Sequence, residues 1–532
     1  MNRESGVPLG SAIDIAKVSA KGSVALTLGM VVSNLVMALG TLLMASLLPT
    51  EDYGLYAVVL IPNAFFNIFQ GLGINSAIIK YTAQYRSEGR HSEIKKILAC
   101  GILFTIALGI VLSLICFASA GFIATSLFHR PQIKGLIEIA SIVILLSAVV
   151  NFSQSVFVGF ERMEFYSLTM TAQSVLRGVL SPLLVFLGYG VFGAVVGVIV
   201  SSMAAAVFGL ALVILHFYRK IEVQTDSLTQ YFGEKISLML RYGLPVSASM
   251  ILQGFRTQFY NFLMAAYCSD EAIANYQMAL NFTVLISFFV FPIATVLFPA
   301  FSKLSFERDE ATLRTVFRFS VKYSMLVVLP VAVVVMALSK PMVYALFGGK
   351  FEDAPLYLSL LAVNNLYIGM GSLSVPNIIK GQGRTDITLK LTLLSLSVGI
   401  PLSLVLVPSF GIIGLIIATL LSGFPGLAVG LWWVRRNFKV SIDGEAGMKI
   451  YAASGLSGLL AYLTARSLAL SYWLVLIFGG VVFLVTYVVS VVLLRAIDSG
   501  DLKNLKEALS SLGPLYRLVE APLNFMERLL PS

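Results

Sequence analysis

Residues 42–56 read LLMASLLPTEDYGLY, and residues 262–276 read FLMAAYCSDEAIANY. Each is the end of one apolar segment, a short acidic turn and the start of the next apolar segment. The register continues along the chain. RSEGRHSEIKK (86–96) parallels FERDEATLRT (306–315), LFHRPQIKGL (127–136) parallels LFGGKFEDAPL (346–356), and GFERMEFYSL (159–168) parallels GQGRTDITLK (381–390). GYGVFGAVVGVIVSS (188–202) parallels SFGIIGLIIATLLSG (409–423). An offset held at about 220 residues is far longer than one supersecondary repeat, so a whole bundle has been duplicated.

Composition says what kind of bundle. Of 532 residues, 58% are apolar and 12% charged, and the mean hydropathy is +0.89. A soluble globular chain carries roughly 45–50% apolar and about 25% charged residues. An ordinary soluble enzyme and a long disordered protein are both excluded. The apolar runs are continuous rather than alternating with period two, which predicts membrane helices and not a barrel. Fourteen runs reach the roughly 20 residues that a bilayer crossing needs. They fall at 24–48, 54–79, 97–118, 136–158, 166–187, 191–217, 242–266, 272–299, 319–346, 355–378, 387–407, 411–434, 449–469 and 472–494.

The expected fold is therefore an all-α integral membrane protein with 14 transmembrane helices, two six-helix repeats and two further C-terminal helices. Six is even, so both copies start on the same side and are parallel repeats, a transporter plan with the substrate site between the halves. The organisation is a cytoplasmic interfacial segment over 1–21 and an N-lobe over 22–220. A cytoplasmic linker over 221–240 and a C-lobe over 241–436 follow. Spans 13 and 14 occupy 447–495, and a cytoplasmic tail occupies 496–532. In the tail, Leu502, Leu505, Leu509 and Leu512 share one helical face up to Gly513-Pro514. That pattern predicts an interfacial anchor or a partner-docking helix.

The net charge of +10 raises the alternative of a nucleic-acid binder. Of the 37 Lys and Arg, 30 fall in the termini and the even-numbered connections. Five (Arg130, Lys134, Lys340, Lys350 and Arg466) fall in the odd-numbered ones, and two, Arg177 and Arg256, lie inside spans. This is the positive-inside pattern with both termini cytoplasmic. The charge is accounted for by topology, so no nucleic-acid partner is expected. The first twenty residues lack a compact apolar core with a cleavage site, so no secretory signal is expected. Cys100, Cys116 and Cys268 form no ligand cluster and read as small apolar fillers.

The polar residues at membrane depth carry the functional signal, because each is costly there. Gln253, Arg256 and Tyr260 share one face of span 7; Thr169, Gln173 and Arg177 share one face of span 5. Span 2 carries Asn63, Asn67 and Gln70, with Asn75 beyond and Lys80 at its cytoplasmic end, and span 1 carries Asn34. Asn275, Gln277 and Asn281 lie on span 8, and Asn364 and Asn365 on span 10. The amides are either interhelical glue, at about 0.6 kcal/mol each, or cavity lining. Lys80 is either an interfacial positive-inside residue or a ligand. For Arg256 and Arg177 a cavity role is favoured, since neither helix core holds a carboxylate to pair with them. No Asp or Glu lies in the middle of any span. A cation extruder needs such a carboxylate, whereas arginines and amides suit an anion, above all a phosphate or pyrophosphate.

Catalytic constellations are lacking. His91, His129 and His216 are scattered, and there is no GK[ST] phosphate loop and no HExxH. Neither an enzyme, a metal site nor a cofactor is expected, and ATP drive would need a separate subunit.

Two parallel six-helix halves plus two helices, with LLPTEDYGLYAVV (47–59), GINSAIIKYTAQYRSEGR (73–90), FVGFERMEFYSL (157–168) and GIIGLIIATLLSG (411–423), resemble the polysaccharide-flippase branch of the multidrug/oligosaccharidyl-lipid/polysaccharide (MOP, MATE-like) exporter superfamily. The resemblance covers residues 12–495. It implies V-shaped lobes around a cavity lined by spans 1, 2, 7 and 8, and alternating access. Its implied activity is movement of an oligosaccharide on a polyprenyl or dolichyl (pyro)phosphate from the cytoplasmic to the outer leaflet of the plasma membrane, for cell-surface polysaccharide or glycan biosynthesis. Lipid-linked glycan and membrane lipids are the implied partners, with the polysaccharide-synthesis machinery as a further one, and a monomer is expected. The alternative within the fold is a MATE-type antiporter exchanging a drug or small solute for a cation. A membrane-embedded enzyme or scaffold is the remaining reading. The coupling energy is open; the membrane potential would supply about 2.3 kcal/mol per charge per 100 mV.

Overall fold

The computed structural model describes residues 32–219 and 228–497, together with residues 29, 500, 501, 506 and 524. The interfacial segment at 1–21 and the amphipathic face at 502–512 lie outside the described residues, Lys506 apart. Among the described residues the regular structure is helical, with no strand. The chain divides into two compact units, Met1–Glu271 and Ala272–Ser532.

The first unit contains α1 (Val32–Leu47), α2 (Thr50–Asn67), α3 (Ile74–Ser87), α4 (His91–Phe122), α5 (Lys134–Ala140), α6 (Ile142–Gly159), α7 (Met163–Leu184), α8 (Gly190–Val213) and α9 (Leu228–Tyr267). The chain passes into the second unit in the first turn of α10 (Asp270–Ser302). There follow α11 (Phe306–Ala337), α12 (Ser339–Phe347), α13 (Ala354–Ala362), α14 (Ser374–Gly381), α15 (Thr385–Phe438), α16 (Gly444–Ser467) and α17 (Tyr472–Leu493).

Seven continuous helical stretches among the described residues are long and apolar enough to cross a bilayer, or eight if the bent pair Ala354–Met370 and Ser374–Gly381 counts as one span. Two of them, Met163–Tyr218 with 56 residues and Thr385–Phe438 with 54, are too long for one crossing: at 1.5 Å per residue each would reach about 80 Å. Both fold back on themselves. In the first, the π-helical turn Val185–Tyr189 is broken at Gly188 (φ 91°) and the Ser181 hydroxyl donates to the Ala194 carbonyl across the hairpin, 3.2 Å away. In the second the reversal is at Gly411 (φ 56°), where only a residue without a Cβ is unstrained. Each hairpin holds two of the expected spans.

Elsewhere one expected span becomes two helices. The run at 54–79 is broken between α2 and α3, and 319–346 at Leu338 between α11 and α12. The run at 355–378 breaks through a 3₁₀ stretch, Val363–Met370, with a 54° bend. α9 begins inside the segment read as a linker. Large apolar side chains such as Phe186, Val207, Val405 and Leu493 are exposed, as a lipid-facing surface requires and a water-facing one does not tolerate in quantity.

In the first unit the core lies where α3, α4, α6 and α9 meet, around Ile78, Ile94, Leu98, Phe152, Phe157 and Met239. α1 lies close against α7: a Cβ on Gly40 would sit 2.5 Å from the Gly178 backbone, and the Ser33 and Thr171 hydroxyls are hydrogen-bonded at 3.1 Å. Small residues and hydroxyls are the usual seam where apolar burial gives helices no reason to associate.

In the second unit, α11 presents Arg314, Arg318 and Lys322 at i, i+4 and i+8 on one face. Arg314 Nε donates to the Phe438 carbonyl at the end of α15 (3.4 Å), Arg318 to Asp443 (2.6 Å) before α16, and Lys322 to Asp501 (2.5 Å) beyond α17. One basic stripe thus fastens three later chain segments. Asp443 also caps α16, accepting from the Ala446 amide at 3.1 Å. Arg318 and that amide hold its carboxyl below the usual carboxylate range. A depressed carboxylate contributes stability above its unfolded pKa of about 3.9 and loses it as the pH falls further. Asp443→Ala should therefore cost about 1–2 kcal/mol, and Asp443→Asn about half of that because the cap survives. Amide exchange in the first turn of α16 at neutral pH reads both, and equal protection in Asp443→Ala and wild type would contradict the assignment.

Candidate functional site

Of the polar residues singled out along the spans, Asn34, Asn63, Asn67, Gln70, Lys80, Arg177, Gln253, Arg256 and Tyr260 belong to the first unit, and Asn275, Gln277, Asn281, Asn364 and Asn365 to the second. Their arrangement starts from the interruption of span 2. After Asn67 the chain tightens through i→i−3 hydrogen bonds at Ile68, Phe69 and Gln70, then passes Leu72 (φ 39°) and Gly73 (φ 80°) before α3 starts. Glycine is required at position 73 twice over. Its φ is left-handed, and a Cβ there would lie 1.9 Å from the Gly243 carbonyl oxygen of α9.

This turn places the amides of span 2 against α6. Asn63 is buried; its Nδ2 donates to the Ala140 carbonyl at 3.0 Å, and its Oδ1 accepts from the Cys116 thiol at 3.7 Å. Gln70 is buried, donates to Asn67 Oδ1 at 3.1 Å and to the Ile144 carbonyl, and accepts from Asn151 Nδ2 at 2.8 Å. Ser147 donates to the Val143 carbonyl and lies 3.3 Å from Asn67 Oδ1. Asn67, Gln70, Ser147 and Asn151 form one network within the unit, its polar atoms largely satisfied by each other. Asn63 fastens α2 to α4 and α5 and is not part of it.

The two arginines differ. Arg177 Nη2 is 3.2 Å from the hydroxyl of Tyr56, which is buried on α2. Its stripe partners are engaged nearby: Thr169 with the Phe165 carbonyl at 2.8 Å, and Gln173 with Ser202 at 3.5 Å. A phenol is a neutral partner, so the guanidinium charge is not compensated by it. Arg256, half-buried on α9, has no hydrogen bond, ion pair or ring contact with any described residue. One turn on, Tyr260 is 8% exposed and its hydroxyl has no hydrogen-bond partner. Gln253, one turn back, is exposed. The face shared by Gln253, Arg256 and Tyr260 therefore carries an unpaired cation beside an unsatisfied phenol. Both cost free energy where water is excluded unless something else meets them.

Lys80 is exposed, with its ammonium 4.0 Å from the centre of the Tyr242 ring and 4.9 Å from that of Tyr81. The rings supply a cation–π contact without an ion pair. Asn34 is exposed on α1. On α10 of the second unit, Asn275 is buried and its Oδ1 accepts from the amides of Asp353 and Ala354, at 3.1 and 3.0 Å. It caps α13 from a neighbouring helix. Among the described residues no group of three or more His, Cys, Asp and Glu is placed to hold a metal.

Four participants carried no sequence signal of their own: Tyr56, Ser147, Asn151 and Glu93, which meets Lys235 at 2.7 Å. Arg130 is a fifth: the sequence counts it only among the five basic residues of the odd-numbered connections, and its burial (9% exposed) is a finding of the structure. An arginine with neutral neighbours and an arginine with none can do one thing chemically that the rest of this core cannot, which is to hold an anion through a planar fork.

Comparison with known proteins bears on the family of the chain. The family model "Polysaccharide biosynthesis protein" matches residues 19–305, and the model MatE matches residues 245–405. A membrane protein of Methanocaldococcus jannaschii is 23% identical over 480 residues, covering 87% of this chain and 93% of its own. A probable low-salt glycan biosynthesis flippase of Haloferax volcanii is 24% identical over 168 residues, 31% of this chain and 35% of its own. Among solved structures, a lipid II flippase in an inward closed conformation superposes with a TM-score of 0.70 at 15% identity, over 88% of this chain and 98% of that one. At that identity the likeness speaks for the fold.

Proposed function

Because the chain belongs to the polysaccharide biosynthesis protein family, in the polysaccharide-flippase branch of the MOP superfamily, we propose that it moves a lipid-linked oligosaccharide, carried on a polyprenyl or dolichyl phosphate, from the cytoplasmic to the outer leaflet of the plasma membrane. The observation that carries this reading is Arg256, half-buried on α9 with no polar partner among the described residues, in a chain whose expected spans hold no carboxylate at their middles. Fourteen spans with both termini cytoplasmic complete the proposal, and the chain works as a monomer.

In this reading the headgroup leaves the cytoplasmic interface, where Lys80 meets it first, while the polyprenyl tail stays in lipid. Arg256 takes the (pyro)phosphate by a charge-assisted bidentate contact. Tyr260 supplies a hydroxyl that has no other bond to lose, and Gln253 offers an amide to the sugars. Arg177, held by Tyr56, adds positive field without presenting a carboxylate that would repel the substrate. Alternating access carries the bound headgroup across. A drug:cation antiporter would need an acidic residue to take the cation and exchange it, and the spans offer none at mid-depth.

Depletion of the protein should accumulate lipid-linked glycan facing the cytoplasm, with rescue by the wild type and not by Arg256→Ala. Normal glycan export in depleted cells would sink the flippase reading. Full rescue by Arg256→Ala would remove the site assignment alone.

A further inference from the structure

α9 is fastened near its start to α4 and at its end to the loop that follows α4, and each fastening contains an ion pair whose cation is buried and whose carboxylate is partly so, the second carboxylate lying on α10. Near its start, Lys235 is 7% exposed; its ammonium lies 2.7 Å from Glu93 in the first turn of α4 and 2.9 Å from Glu234. Glu93 also faces Lys96 at 3.6 Å. At its end, Arg130 reaches over from the loop that leaves α4 through the π-turn Ile123–Leu127. Its Nε donates to Asp270 at 2.6 Å and its Nη2 to the Cys268 carbonyl at 2.7 Å. Its Nη1 donates to the carbonyls of Phe128 at 2.8 Å and of Ala265. The guanidinium thus meets the orphan carbonyls at the end of α9, where the negative end of that helix's dipole favours a cation, and the Asp270 carboxylate, which the positive end of the α10 dipole favours in turn.

Between the two fastenings α9 has one point built to bend and one to pivot. Pro245 has no amide to donate within the helix. Two residues earlier, Gly243 rests on Gly73 so closely that a Cβ would lie 2.4 Å from the Gly73 carbonyl carbon. Arg256 lies between that pivot and the outer fastening. Ion pairs with one charge buried are an uneconomical way to hold two helices at rest, since apolar packing does as well or better. Their distinctive property is that they open and re-form at a defined geometry.

We propose that Glu93–Lys235 and Arg130–Asp270 are positioning pairs for Arg256, and that the transport cycle releases them one at a time, the inner pair to admit the headgroup and the outer pair to let it leave. The proposal rests on the reading above in placing the two ends of α9 on opposite sides of the membrane. In this structure both pairs are closed.

The chain carries its own reporters. Cys268 is buried and gives its carbonyl to Arg130. Cys100 is buried in the cluster that contains Tyr231 and Met239, on either side of Lys235 in sequence. Cys116 is buried beside Asn63, hydrogen-bonded to neither pair, and serves as the control. The experiment labels the full-length protein with a membrane-impermeant maleimide, applied to right-side-out and to inside-out vesicles. Asp270→Asn should raise the labelling rate of Cys268 from outside by about tenfold or more and lower that of Cys100 from inside below wild type. Glu93→Gln should do the reverse. Cys116 should stay unlabelled, and Asp270→Glu and Glu93→Asp should keep the wild-type pattern. If Asp270→Asn fails to fold, Arg130→Lys takes its place, since it keeps the charge and loses the fork. Equal increases at all three cysteines, or no increase at the cysteine beside the altered pair, would overturn the proposal. Labelling needs no substrate. Alternating labelling with glycan export unaffected by depletion would keep the pairs and sink the flippase reading, whereas export lost on depletion without alternation would sink the pairs alone.

Discussion

Arg256→Ala should lower the initial rate of lipid-linked glycan translocation by about 10- to 100-fold and leave the protein at least as stable as wild type. The two halves of this result come from one observation. Arg256 has no polar partner among the described residues, so truncation breaks no internal bond. It also removes a charge whose cost at the centre of a helix in a bilayer is about 2.5–3.5 kcal/mol. A charge-assisted contact to phosphate contributes about 1.5–3 kcal/mol, which at 1.4 kcal/mol per decade gives the stated range of rates. Arg256→Lys keeps the charge and loses the bidentate geometry, so its rate should fall between the two. A structural arginine would behave oppositely, with stability lost together with activity. Translocation assayed in reconstituted vesicles, beside thermal unfolding of the same variants, separates the cases. Wild-type translocation by Arg256→Ala would remove Arg256 from the site.

The helices were legible because membrane burial leaves a one-dimensional signal: roughly twenty apolar residues, then charge. What hydropathy cannot report is where a backbone turns inside an apolar run. The interruption at Gly71-Leu72-Gly73 lies within the run at 54–79, and the only sign of it in sequence is the pair of glycines. The same holds at Gly188 and Gly411, although there the two spans on either side were separable by length. For the polar residues, helical spacing identifies a shared face and says nothing of what that face meets. Asn67 and Gln70 meet Ser147 and Asn151 on α6, some 80 positions away in sequence. That pairing is a property of packing, not of either segment. Arg130 was not legible either. It is one of five basic residues in the odd-numbered connections, nothing in sequence separates it from the other four, and only packing brings it to a carboxylate and three carbonyls.

Those contacts make Arg130 the residue whose truncation should cost the most stability. Arg130→Ala removes all four donated hydrogen bonds at once. It leaves the Asp270 carboxylate, with its side chain 23% exposed, in the first turn of α10 without a counter-charge, and the end of α9 without a cap. Breaking a buried pair by removing one partner costs about 3–5 kcal/mol. Water reaches Asp270 in part, and its place at a helix N-terminus is itself favourable, so the lower end, about 3 kcal/mol, is expected. Asp270→Asn should cost less, about 1–2 kcal/mol, because the amide oxygen still accepts from Nε and the three carbonyls keep their donors. Substituting both members with apolar residues, Arg130→Met with Asp270→Leu, should recover part of the loss from Arg130→Ala by removing the stranded carboxylate. The ordering wild type, Asp270→Asn, Arg130→Ala in equilibrium unfolding in detergent is the measurement. An Arg130→Ala protein as stable as Asp270→Asn would mean that the carbonyls at the end of α9 are satisfied without the guanidinium, and that the pair bears on Asp270 alone.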